Sequence, residues 1–162
     1  MIQRAIPGDS NAAVERFIEL YIAGWGDRDR TSNPVLALVE WLRSENIQVG
    51  VVTGGGQRRA ELTLELLGLR QIIDSVAGGS PERSNKQEGL RKMADTWGLE
   101  PARLAYLGDS QFDVRDALAV GAHPIGAAWY PGGDPPEVLV GAGAEQIFTD
   151  AADLREWLSS DG

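Results

Sequence analysis

The chain has 162 residues, enough for one domain with a buried core. Its 43% hydrophobic and 24% charged content is ordinary for a globular protein, and a formal net charge of -9 argues against a nucleic-acid-binding surface, which needs clustered Lys and Arg. There is no cysteine, so disulfides, zinc–thiolate sites and cysteine nucleophiles are excluded; no stretch has the apolar length of a membrane span and no charged-then-apolar leader opens the chain, so no membrane association and a cytoplasmic location are expected.

Residues 12–23 place Val14, Phe17, Ile18, Tyr21 and Ile22 at helical spacing. The polar stretch 24–31, with the charged run Asp27, Arg28, Asp29 and Arg30, reads as a loop. Ser32 or Asn33 can cap the next helix, with Pro34 in its first turn; that helix runs to about Ser44 and buries Leu36, Val39 and Trp41 or Leu42. The β-branched segment 47–52 predicts a strand that empties into Thr53-Gly54-Gly55-Gly56. A helix follows through Leu67 and stops at Gly68. Ile72 and Ile73 predict a short strand before the loop Gly78-Gly79-Ser80-Pro81. Lys86 opens a helix that ends at Gly98.

Leu104 to Leu107 reads as the next strand, running directly into Gly108-Asp109-Ser110-Gln111-Phe112-Asp113, and a helix then reaches Val120 with Gly121 at its end. Residues 125–129 predict another strand, 131–136 a turn, 137–142 a helix, 146–148 a strand and 150–159 a terminal helix. The single histidine, His123, reads as a loop residue beside Pro124, which leaves no histidine-based triad. Trp25 and Trp129 read as core or loop packing rather than cleft aromatics. Repeated strand–helix units predict an α/β fold with a mainly parallel sheet flanked by helices.

Three places put polar groups at the C-terminal ends of predicted strands, where open α/β sheets gather ligands. The hydroxyl of Thr53 and the unobstructed N–H groups of the glycines after it make an anion site at a helix N-terminus, although such turns also occur for steric reasons alone. Lys86 stands at a helix start that the helix dipole reserves for carboxylates; an exposed surface lysine is the plain reading, and a bound phosphate is the one that reverses the dipole preference. Asp109 and Asp113 flank a turn that brings both carboxylates to one point. Capping by Asp109 or Ser110, with Asp113 as a first-turn charge, explains one acid but not both. A hard divalent cation such as Mg²⁺ between them explains the pair.

Taken together and in this order, these sites resemble the haloacid dehalogenase (HAD) superfamily of phosphohydrolases. The run from Ile47 to Gly54 is similar to its second motif, whose Thr or Ser hydroxyl binds phosphate, and Gly108 to Asp113 matches the GDSxxD form of its fourth, which holds magnesium. The small-residue helix 114–122 and the late segment 143–148 follow the same pattern. The resemblance covers about residues 34–160 and is nearest the phosphoglycolate-phosphatase-like branch. It implies a Rossmann-like core over residues 34–162, a remnant of a helical cap over 1–33, a phosphate cradle of Thr53, Gly54 and Lys86, and magnesium on Asp109 and Asp113. The third motif departs from that branch: Lys-Pro-x-Pro is replaced by Ser84-Asn85-Lys86-Gln87-Glu88-Gly89-Leu90, so Lys86 takes the lysine role, with Arg83 as an alternative.

The family's first motif is an apolar strand running into Asp-x-Asp-x-Thr, whose first Asp attacks phosphorus and whose second protonates the leaving group. Asp9-Ser10-Asn11 is the nearest match found, but Pro7-Gly8 precedes it, Asn replaces the acid/base and Ala13 stands where Thr belongs. The chain therefore reads as a phosphatase of small phosphorylated metabolites that lacks its nucleophile and is nearly inactive alone; the alternative is a non-catalytic phosphate- and metal-binding or assembly protein. In the family fold the first-motif strand lies between the strands ending at Thr53 and Asp109, so its loss exposes two strand edges and predicts self-association. A truncated gene model, a strand from another chain, residues 1–6 in the gap, and a diverged non-catalytic protein all remain open.

Overall fold

The computed structural model describes residues 34–79 and 85–160. The expected helix at 12–23, the cap remnant 1–33 with Asp9 and Trp25, the fate of residues 1–6, and Arg83 lie outside the described residues.

The elements alternate: α1 (Pro34–Ser44), β1 (Gly50–Gly56), α2 (Gln57–Leu66), β2 (Ser75–Gly79), α3 (Lys86–Trp97), a 3₁₀ turn (Pro101–Arg103), β3 (Ala105–Gly108), α4 (Gln111–Val120), β4 (His123–Ala127), α5 (Pro136–Ala142), β5 (Gln146–Phe148) and α6 (Ala151–Ser160). This is an α/β arrangement in which every strand pairing is parallel. The strands form two sheets rather than one. β1 pairs with β2, β3 with β4 and β4 with β5; no ladder joins β1 to β3 among the described residues.

Packing on the two faces holds these sheets side by side, and the period of two along each strand shows how. On one face, Val51 of β1 and Val49 just before it pack with Val39, Leu64, Leu69 and Ile73, while Leu107 of β3 packs with Leu38, Ile125, Ala151 and Leu154. Leu38 and Val39 are neighbours on α1, so this one helix spans both clusters. On the other face, Tyr106 joins Ala94, Leu104, Ala117 and Ala122. There α3 lies so close to β1 and β2 that a Cβ on Gly89 would press on Val52 and Ala77, and one on Gly50 would overlap Met93. These glycines allow the contact, because any side chain would push the helix off the strands.

Three expected boundaries move, each for a local reason. β1 begins at Gly50, not Ile47: Ile47 is exposed, and the Val49 N–H donates to Asp74 Oδ2 at 2.8 Å. It also continues through the glycines to Gly56, because Thr53 pairs with Gly78 and Gly56 with Gly79 across an irregularity. Ile72 and Ile73 lie in turns closed onto the Leu69 carbonyl, and the strand follows at Ser75; their apolar character serves the core. β4 begins at His123, which is thus a strand residue and not a loop residue. Its ring bonds Glu145 and the Ala102 carbonyl at 2.8 and 2.9 Å. Trp129 packs against the Leu38 cluster as expected. No described helix is long and apolar enough to cross a membrane.

Candidate functional site

The turn between β3 and α4 is built around Asp113. Ser110 is the N-cap of α4: its Oγ accepts from the Asp113 N–H at 3.3 Å and donates to Asp113 Oδ2 at 2.7 Å. The Asp113 side chain is folded back onto the last residue of β3, so closely that a Cβ on Gly108 would overlap it. Only glycine leaves room there. As a result Asp113 is 3% exposed, the one charged residue in the described core.

Burial of a carboxylate is costly unless charge and hydrogen bonds compensate. Lys86 supplies the charge. It opens α3, whose N-cap Asn85 accepts from the Glu88 N–H while the Asn85 and Glu88 side chains also bond each other. One turn on, Gly89 seats the helix against β1 and β2. From there the Lys86 ammonium donates to Asp113 Oδ1 at 2.5 Å. Next to it, Gln87 Nε2 donates to Asp116 Oδ1 at 2.9 Å, a second tie between α3 and α4.

Tyr106 completes the cluster. Its hydroxyl lies 3.0 Å from Asp113 Oδ1 and 3.4 Å from the carbonyl of Val52, the residue before Thr53. A phenol has one proton, and the nearer, charged acceptor takes it. Burial, and then the charge of and hydrogen bond to Asp113, push the Tyr106 phenol far above its ordinary range. For Asp113, burial pushes the carboxyl up; the Lys86 and Ser110 hydrogen bonds, the Lys86 charge and the Tyr106 hydroxyl outweigh it, and the net value falls below the ordinary 3.8.

Thr53 lies half-buried on β1, where its Oγ1 accepts from the Gly55 N–H at 3.1 Å and keeps its own proton for another acceptor. α2 then begins with no side-chain cap and no acid in its first turn. Thr53 makes no hydrogen bond to Lys86, Asp109 or Asp113. The site is thus brought together in part: Lys86 and Asp113 meet, while Thr53 stands apart from them on β1, with the Tyr106 hydroxyl 3.4 Å from the Val52 carbonyl beside it.

Asp109 stands at the mouth of the turn. Its carbonyl accepts from the Asp134 N–H at 2.7 Å, and Asp134 Oδ2 in turn accepts from the Gln111 N–H at 2.7 Å. The loop after β4 therefore closes over the start of α4. Sequence reading missed Tyr106 and Asp134; the nearest signals for them were a hydroxyl in an otherwise apolar strand and an acid in a Gly/Pro-rich loop at a strand end. It also read the run Asp27-Arg28-Asp29-Arg30-Thr31 only as a loop. That run has the literal Asp-x-Asp-x-Thr spacing, although Gly24-Trp25-Gly26 rather than an apolar strand leads into it, and it lies outside the described residues.

No group of three or more His, Cys, Asp or Glu side chains is placed to hold a metal among the described residues. The donors that are present suit a hard cation in kind. The Asp109 carboxylate has no partner among the described residues, and Asp113 Oδ2 keeps a lone pair beyond the one given to Ser110.

The family model for haloacid dehalogenase-like hydrolases matches residues 3–127. The chain is 35% identical over 125 residues to a phosphoglycolate phosphatase of Rhodospirillum rubrum, covering 76% of this chain and 51% of that protein. It is 29% identical over 122 residues to a phosphoglycolate phosphatase of Synechococcus elongatus, covering 75% and 56% respectively. The chain thus spans about half the length of the curated relatives it matches. A crystal structure of a predicted phosphatase from Clostridium acetobutylicum shares the fold with a TM-score of 0.72 at 23% identity, over 80% of this chain and 60% of that one.

Proposed function

The chain belongs to the haloacid dehalogenase-like hydrolases, on the phosphoglycolate-phosphatase-like branch, and from that premise we propose that it carries the phosphate- and magnesium-binding half of a phosphomonoesterase for a small phosphorylated metabolite. The observation that carries this reading is the pair of half-buried Lys86 and buried Asp113 beside the carboxylate of Asp109, which has no partner among the described residues, at the end of β3.

In this reading the Thr53 hydroxyl and the Gly54 N–H bind phosphate oxygens. Lys86 gives one ammonium proton to Asp113 and has two left for the phosphoryl group. Asp109, with the open lone pair of Asp113 Oδ2, would hold Mg²⁺, which when bound neutralises charge on the phosphoryl group. An aspartate carboxylate attacks phosphorus and expels the alcohol, and water then cleaves the aspartyl-phosphate. That aspartate is not among the described site residues. The edges of β1 and β3, not paired with each other among the described residues, support a place for its strand between them.

The test is hydrolysis of para-nitrophenyl phosphate by the 162-residue chain with Mg²⁺, where little turnover is expected. Ready turnover lost in Asp9→Ala or Asp27→Ala would put the nucleophile at that residue. Turnover that survives both but fails in Asp109→Asn would mean another nucleophile serves. The same edges, unpaired among the described residues, favour a second reading, a non-catalytic binding or assembly protein. It predicts self-association by light scattering, and no turnover even when a strand carrying Asp-x-Asp-x-Thr is supplied in trans.

A further inference from the structure

The half-buried hydroxyl of Tyr106 is a polar group that the mechanism leaves unused. We propose that Tyr106 is a positioning residue: its hydroxyl holds the Asp113 carboxylate in the orientation that receives Lys86. Three features carry the inference. The ring is fixed, packed among Ala94, Leu104, Ala117 and Ala122 on the α3 face of β3. Its hydroxyl and the Lys86 ammonium converge on the same oxygen, Asp113 Oδ1, while Ser110 holds the other. A carboxylate gripped by two donors on one oxygen and one on the other cannot turn about its last bond. Removing the tyrosine hydroxyl leaves Oδ1 to a flexible lysine alone.

What Lys86 does once placed rests on the reading above; whether it is placed by Tyr106 does not.

The experiment is lysine ammonium NMR on the full chain, with the Lys86 signal assigned by its loss in Lys86→Met. In the wild type the hydrogen-bonded ammonium is protected from exchange and resolved from the exposed lysine. In Tyr106→Phe, which keeps the ring, the Lys86 signal is expected to broaden or move to the exposed-lysine position. Ile73→Val, a core change remote from the pair, leaves it unmoved. A Lys86 signal that is the same in Tyr106→Phe as in wild type overturns the proposal. If Tyr106→Phe does not fold, replacing all tyrosines with 3-fluorotyrosine keeps the hydroxyl and strengthens it as a donor; an unshifted Lys86 signal there overturns it equally. Titration with inorganic phosphate separates the two readings. Affinity is expected to fall about fivefold in Tyr106→Phe, the factor that one net hydrogen bond carries. A wild type that binds no phosphate while Lys86 still responds to Tyr106→Phe retires the anion-site reading and supports the positioning role.

Discussion

The Lys86 ammonium lies 2.5 Å from Oδ1 of Asp113, so a lysine at the start of α3 finds its counter-charge in the first turn of α4. That pairing accounts for a cation at a helix end that the dipole disfavours. It also accounts for a carboxylate that is almost fully buried.

Cutting the pair on the lysine side should be expensive. Lys86→Met leaves Asp113 buried with only neutral donors, and a loss of about 3 kcal/mol is expected, at the lower edge of the range for a broken buried pair because Lys86 keeps some exposure. Urea unfolding checks this through the midpoint. A shift within experimental error would mean that Asp113 is held neutral by its surroundings.

Acid should undo the same interaction. The folded carboxyl of Asp113 sits below its ordinary 3.8, so its stabilisation is complete above that value. It declines as the pH falls through 3.8 toward the lower folded value and is gone beneath it. Melting temperatures from about pH 6 down to about pH 2 should fall more steeply for the wild type than for Asp113→Asn in that acid window. Parallel curves would contradict the depressed value.

His123 should act in the opposite sense. Its hydrogen bond to Glu145, the Glu145 charge and the Ala102 carbonyl outweigh desolvation and raise the ring above 6.5. The contribution is therefore full below 6.5 and is lost as the pH rises through the folded value. As the only histidine, its ring signal is unambiguous in an NMR titration. A midpoint above 6.5 is expected, returning toward 6.5 in Glu145→Gln.

Gly108→Ala tests how Asp113 is seated. The new methyl group would overlap the Asp113 side chain, so the aspartate must move or β3 must shift. A destabilisation of about 2 kcal/mol is expected, in the range for an added group in a packed interior, together with loss of the protected Lys86 ammonium signal. A neutral substitution would show that the turn has slack.

Much of this was legible in the chain because it is local. The glycines placed just past predicted helices cap them with positive φ, 64° at Gly98 and 82° at Gly121. The spacing of Gly108, Asp109, Ser110 and Asp113 marked a strand-end turn with two acids and offered Ser110 as a cap, which it is, and Lys86 stood out as a cation in the wrong place for a dipole. What escaped depends on contacts distant in sequence. Tyr106 and Val52 are 54 residues apart, and nothing in either segment signals the other. Asp134 reaches Gln111 from a loop 23 residues on. The apolar pair Ile72-Ile73 looks like a strand because core-filling turns and short strands share composition, and only the register with β1 tells them apart.

The close seating of α3 has a consequence for how the site is spaced. Between hydrogen-bonded strands, separation is fixed by the ladder at about 4.8 Å. No ladder runs between β1 and β3 here, so helix seating sets the gauge between the Thr53 hydroxyl and the Lys86–Asp113 pair. Gly50, Gly89 and Met93 touch no substrate in any reading, yet the bulk at those three positions decides how far apart the two banks of the site stand.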